Sequence, residues 1–174
     1  LMQAEQDALR LQQQAEQDKQ RGGSGKEMLR VIDEAFTETP ALEKSFGLLK
    51  LSVLMKLGDP KDALDYGEKV FEAQKDNAEA LNNFAWMVVD PDNDKKPTPA
   101  LVKLALKVAT RADELEERKN PAIADTLAKA QFDSGDVAKA YETQQRVVKL
   151  AEGTPLADAD TGMKDRLEQY KKAA

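Results

Sequence analysis

Apolar residues in this chain recur three and four positions apart, and nowhere alternate with polar residues over the length of a strand. That period puts them on one face of a helix. The clearest block is residues 120–150. Ile123, Leu127, Ala130 and Gln131 fall near one face, and the small Ala124 and Ala128 on the next let a neighbouring helix come close. Ala140, Gln144, Val147 and Leu150 recur at i, i+4, i+7 and i+10 in a second stripe. Between the two stands Ser134-Gly135-Asp136, where glycine can take the left-handed conformation that ends a helix and aspartate can cap the next. A helical hairpin of this kind cannot bury its apolar faces alone, so it predicts neighbours built the same way.

The rest of the chain is punctuated by proline. Thr39-Pro40, Asp59-Pro60, Thr98-Pro99, Asn120-Pro121 and Thr154-Pro155 each set a capping residue before a proline. Proline suits the first helical position, where no N–H is needed, so five of the seven prolines mark helix starts. The helices predicted between these marks are 27–36 (Leu29, Ile32 and Phe36 inward) and 41–57 (Leu42, Phe46, Leu49, Val53 and Leu57 inward). A turn at Gly58-Asp59 leads into 60–74, with Ala63, Gly67 and Val70 at the inward positions. Helix 77–89 carries Phe84-Ala85, and its partner from Pro99 to Glu117 carries Ala105, Ala109 and Ala112. A last helix, Pro155 to Lys172, puts Leu156, Ala159, Met163, Leu167 and Tyr170 on one side and charge on the other, as a cap facing water should. Residues 1–20 predict a further helix with a narrow seam of Leu1, Ala4, Ala8, Leu11 and Ala15, and 21–25 a Gly-rich turn or linker. The expected architecture is all-α, with one helical repeat domain over residues 26–174.

Composition narrows the chemistry. A net charge of −6 argues against an electrostatic nucleic-acid footprint, and no segment has the length of a membrane span. The absence of Cys and His removes thiol and Ser-His catalysis, disulfides and nearly every zinc or haem site. Leu rather than Met stands first, so the chain reads as a fragment or a processed protein. No cofactor and no metal are expected.

Single motifs add little. Asp90-Pro91-Asp92-Asn93-Asp94 echoes the first half of a calcium loop, but Lys95 replaces the required glycine and Leu101 the bidentate glutamate, so it reads as a solvated turn. Arg21 to Lys26 has the glycines of a phosphate loop without its first Gly, its Ser/Thr or a preceding strand. The run Asp113 to Lys119 reads as a solvated helix face. Asn82 and Asn83 are better specified, because an asparagine pair within a helix is unfavourable without a partner, so one of them should bond a neighbouring helix or a ligand. Trp86, the sole tryptophan, is either core or an exposed anchor.

Leu127-Ala128 (large then small), Gly135-Asp136 and Ala140 resemble the pattern of a tetratricopeptide repeat (TPR), a 34-residue helical hairpin. Gln131 and Gln144 depart from it by standing where aromatics are usual, and no proline closes the repeat near Glu152. The connection Asp90–Thr98 carries roughly eight extra residues relative to that unit. The resemblance implies an α-α superhelix of three hairpins, preceded by an irregular one and closed by a capping helix. It also implies a concave groove lined by the first helix of each hairpin, with Asn82, Asn83, Trp86, Asp125 and Lys129 as candidate binding residues. The clamp by which some TPR co-chaperones grip a terminal carboxylate is missing. Asn83 matches one of its positions, while Gly47 or Leu48, Leu51 or Ser52, Ala122 and Thr126 occupy the others.

A narrower resemblance runs from residue 77 to 172, and more loosely over 26–76. LNNFAW, LALKVATRADEL, the 120–150 block and RLEQYKKA are similar to the helical region that follows the thioredoxin-like (redoxin) domain in bacterial thiol-disulfide proteins. It implies an accessory domain of a larger envelope or periplasmic redox protein, with the redox chemistry in a Cys-bearing domain outside these residues. The expected partner is a protein or peptide, or the tethered thioredoxin-like domain itself, with no nucleic acid and no membrane insertion. The alternative is a structural module that self-associates through residues 1–20.

Overall fold

A computed structural model describes residues 25–57, 59–155 and 162–174, with Leu57 as backbone only. The N-terminal helix and most of the Gly-rich turn expected over 1–24 lie outside the described residues. Those described form eight helices and no strand: α1 Lys26–Glu38, α2 Ala41–Leu57, α3 Pro60–Gln74, α4 Ala78–Val89, α5 Pro99–Leu115, α6 Pro121–Asp133, α7 Val137–Ala151 and α8 Met163–Ala173. They belong to two compact units that divide between Ala73 and Gln74.

Helices begin at or directly after four of the five proline marks, at Ala41, Pro60, Pro99 and Pro121, and Pro155 is helical as well; at three of the marks the preceding side chain caps the helix. Asn120 Oδ1 accepts from the N–H of Ala122 (3.1 Å) and Ile123 (3.4 Å) at the start of α6. Thr98 Oγ1 accepts from Leu101 N (3.4 Å), and Asp59 Oδ1 from Lys61 N (3.0 Å) and Asp62 N (3.2 Å). Each satisfies donors that have no partner within the first helical turn. The other two threonines act at the preceding end. Thr39 closes α1 through its own N–H on Ala35 O (2.9 Å), and Thr154 Oγ1 donates to Ala151 O (2.7 Å).

In the N-terminal unit α1 buries Ile32 and Phe36. α2 buries Leu42, Leu51, Val53 and Leu54, while the expected Phe46 and Leu49 are only half-buried. Apolar residues run all round this helix, so periodicity alone could not choose its inward face. Gly47 fixes its closest approach to α3: a Cβ there would sit 3.3 Å from Val70 Cγ2 and 3.5 Å from Tyr66 Oη. Tyr66 donates from that hydroxyl to Glu43 Oε1 (3.1 Å), with the Lys50 ammonium 4.6 Å from its ring centre. Burial first, and then the Glu43 charge, push its phenol well above the usual range.

The C-terminal unit is a stack of two hairpins and a closing helix. α4 pairs with α5 and α6 with α7; α6 also packs on α4 and α5, and α8 lies on α7. Alanines make the close approaches: Ala85, Ala105, Ala109, Ala112, Ala124, Ala128 and Ala140 are all fully buried. Ala124 meets Val147, Ala151 and Met163, whereas Ala128 and Ala140 meet Tyr170. Gly135 takes φ +91° with open space around it, ending α6 in a left-handed turn, and Asp136 Oδ1 then caps α7 by accepting from Lys139 N (3.3 Å). The α7 stripe finishes on buried Ala151 rather than on half-buried Leu150. The closing helix is shorter than expected. It starts at Met163, after Gly162 in the left-handed conformation, so one unbroken helix from Pro155 is excluded.

The segment Asp113–Lys119 also differs from expectation. α5 stops at Leu115, Glu117 and Arg118 adopt positive φ (51° and 62°), and Asp113 is buried at 3% exposure. Its carboxylate receives both arms of Arg146 from α7, Nη1 to Oδ1 at 2.9 Å and Nη2 to Oδ2 at 2.8 Å. Nη1 also donates to Arg118 O (2.8 Å), across the left-handed turn. What reads as a solvated charge is half of a forked ion pair joining two hairpins. Arg146→Met would strand a buried carboxylate and should cost about 3 kcal/mol or more. The double variant Asp113→Leu/Arg146→Met should recover most of that loss. Urea unfolding followed by Trp86 fluorescence compares the two; equal losses would make the pair incidental.

Candidate binding groove

The register set by Phe84-Ala85 and Leu127-Ala128 aligns Asn82 with Asp125 and Trp86 with Lys129, and the helices bearing them, α4 and α6, pack side by side. The structure treats the two pairs differently. Asp125 is 6% exposed and faces into the protein. Arg166 of α8 donates to both of its oxygens, with Nε 3.1 Å from Oδ1, and Gln144 Nε2 donates to the same Oδ1 at 2.8 Å and to Met163 O at 3.1 Å. Asp125 is therefore corrected from groove residue to internal anchor of the closing helix, its acceptors filled by protein donors. Gln144, fully buried, serves this cluster from a place where the repeat pattern expects an aromatic. The aromatic bulk comes instead from α8: Tyr170 is completely buried and stacks on Phe132 with ring centres 4.5 Å apart. Burial holds the Tyr170 phenol above its usual range.

The α4 side is less occupied. Asn83 is exposed and Trp86 half-buried, so Trp86 belongs wholly to neither of its two expected settings. Asn82 is half-buried, and its Oδ1 is shut off from solvent without a donor. Such an acceptor costs on the order of 1–3 kcal/mol unless something outside the chain pairs with it.

One turn beyond Trp86 the same face of α4 reaches Val89 and Asp90, and a groove of about 400 Å³ opens there. Its walls are the end of α4, the Asp90–Thr98 connection, Val102 of α5, and Lys129 and Asp133 of α6. Val89 and Val102, both buried, give it an apolar floor. Asp90 and Asn93 of the connection spend their side chains on shaping the loop. Asp90 Oδ1 accepts from Asp92 N (2.9 Å), and Asn93 Nδ2 donates to Met87 O (3.0 Å) and Val88 O (3.2 Å), closing α4. Lys129 pairs with Asp133 one turn on, with side chains 15% and 23% exposed. Of the residues expected to bind, Lys129 alone lines this groove. Val89 and Val102 escape a sequence reading because each looks like ordinary core.

No protein-family model matches this sequence, and no curated protein is recognisably similar to it. Among solved structures it resembles one titled MamA RS-1 ArsTM double mutant. The match has a TM-score of 0.55 and 15% sequence identity, and covers 96% of this chain and 96% of that one. MamA is a TPR-like helical-repeat protein. The likeness gives the fold: an all-α chain of the TPR-like helical-repeat class.

Asn82→Leu removes the stranded oxygen and keeps the side-chain volume. It should leave stability unchanged or raise it by about 1 kcal/mol in chemical denaturation. A loss of that size would mean that Asn82 is paired within the fold.

Proposed function

We propose that this chain is a non-catalytic scaffold that binds a protein or peptide segment along α4 and the groove at its C-terminal end. The observation that carries this reading is the buried, unpartnered Oδ1 of Asn82, one turn from the half-buried Trp86 and on the same face. Turning the half-buried Asn82 amide outward offers that oxygen to a bound backbone N–H, while the peptide's side chain packs on Trp86, and aromatic anchors of this kind dominate peptide interfaces. Exposed Asn83 adds a second amide beside them. The test is a random-peptide display selection on the intact chain, followed by fluorescence anisotropy with the selected peptides. Trp86→Ala should weaken binding about tenfold or more, the cost of removing a hot-spot aromatic, with helicity by circular dichroism retained. Unchanged affinity with a lowered melting temperature would make Trp86 a core residue and overturn the reading.

The finer reading is that the scaffold is an accessory domain of a larger bacterial thioredoxin-like protein, with a tethered redox domain or its client as the bound partner. It is supported by the resemblance over residues 77–172 and is consistent with a chain that has no cysteine of its own. Envelope or periplasmic placement would follow from that parentage. Reading the gene on both sides of this segment decides it. A Cys-x-x-Cys domain in the same reading frame is expected; a frame without one overturns the accessory role and leaves peptide binding standing.

A further inference from the structure

We infer that the groove at the end of α4 selects acidic peptides, specifically an aliphatic side chain next to an Asp or Glu. This deepens the peptide-binding reading and rests on it. The protein as a whole is acidic, yet Lys95, Lys96 and Lys129 converge on this groove against only Asp90 and Asp133. Both acids are already engaged, Asp90 with the Asp92 N–H and Asp133 with Lys129. Lys129 carries the argument. Its side chain is 15% exposed, and Asp133 is its one partner among the described residues, although an ammonium has three N–H donors. A half-buried charge with donors that no protein group fills gains from a second carboxylate, because the surrounding protein weakens the competition from water. Lys96 is exposed and has no partner among the described residues, so it is free to follow the same carboxylate from the rim. Beneath them Val89, Val102 and Pro97 offer an apolar floor with room for one Leu- or Ile-sized side chain. The place differs from the clamp positions compared above, since none of those residues lines it.

The random-peptide selection is the test, read now for composition and salt dependence. Enrichment of Leu, Ile or Val beside Asp or Glu is expected, with binding that weakens severalfold between 50 and 500 mM salt. Replacing the acid in a selected peptide by its amide should cost about tenfold, and so should Lys129→Met in the protein. Lys96→Glu, a surface change that leaves the fold alone, should weaken the acidic peptide and spare its amide counterpart. Peptides that bind through Trp86 with no acidic preference, and ignore both lysine variants, would overturn this inference and leave the scaffold reading intact. A selection that enriches nothing overturns both.

Discussion

A carboxylate taken out of water must meet a cation, and in the C-terminal unit this requirement decides how the helices register. Many of the closest approaches there are made by alanine: Ala105, Ala109, Ala112, Ala124, Ala128 and Ala140 present little more than a methyl group each. Such surfaces allow close approach but resist sliding poorly, since one methyl fits much like the next. Asp113 with Arg146, and Asp125 with Arg166 and Gln144, supply the missing specificity. The first can form only when α5 and α7 lie at one relative height, the second only when α8 sits across both α6 and α7. The two forked ion pairs thus tie α5 to α7 and α6 to α8 at one register.

The same pairs mark where the sequence was legible and where it was not. Helix starts at Pro60, Pro99 and Pro121 were readable because a cap and its proline are neighbours, and the turn at Gly135-Asp136 for the same reason. Inward alanines were readable because their spacing is local. The roles of Asp113 and Asp125 were not, because their partners Arg146 and Arg166 stand 33 and 41 residues away. Nothing in a charged run tells a buried carboxylate from a solvated one. Gln144 looked like a departure from the repeat pattern and proved to be a donor serving Asp125, while Tyr170 brought aromatic bulk from another helix.

For the site, asparagine chemistry was a sound guide on α4, since an amide within a helix signals an unmet need and Asn82 has one. The repeat alignment was a poorer guide on α6. It treats both hairpins as equals, whereas α6 has α8 laid over it and α4 has no such cover among the described residues of its unit. Equivalent positions therefore have different neighbours, so that Asp125 is sealed while Asn82 is left waiting. The extra length of the Asp90–Thr98 connection, which reads as a mere insertion, walls the groove.

One helix gathers these effects. Ile123 to Ala128 are buried on every side of α6, and only Ala122, Lys129, Asp133 and their neighbours reach its surface. A helix so enclosed opens only when its unit comes apart, so its amide protons should be among the slowest to exchange with deuterated solvent. Lys129 sits on that slow helix and lines the groove as well. Occupancy of the groove is thereby tied to the cohesion of the whole C-terminal unit, and a ligand held there would act as a brake on its unfolding.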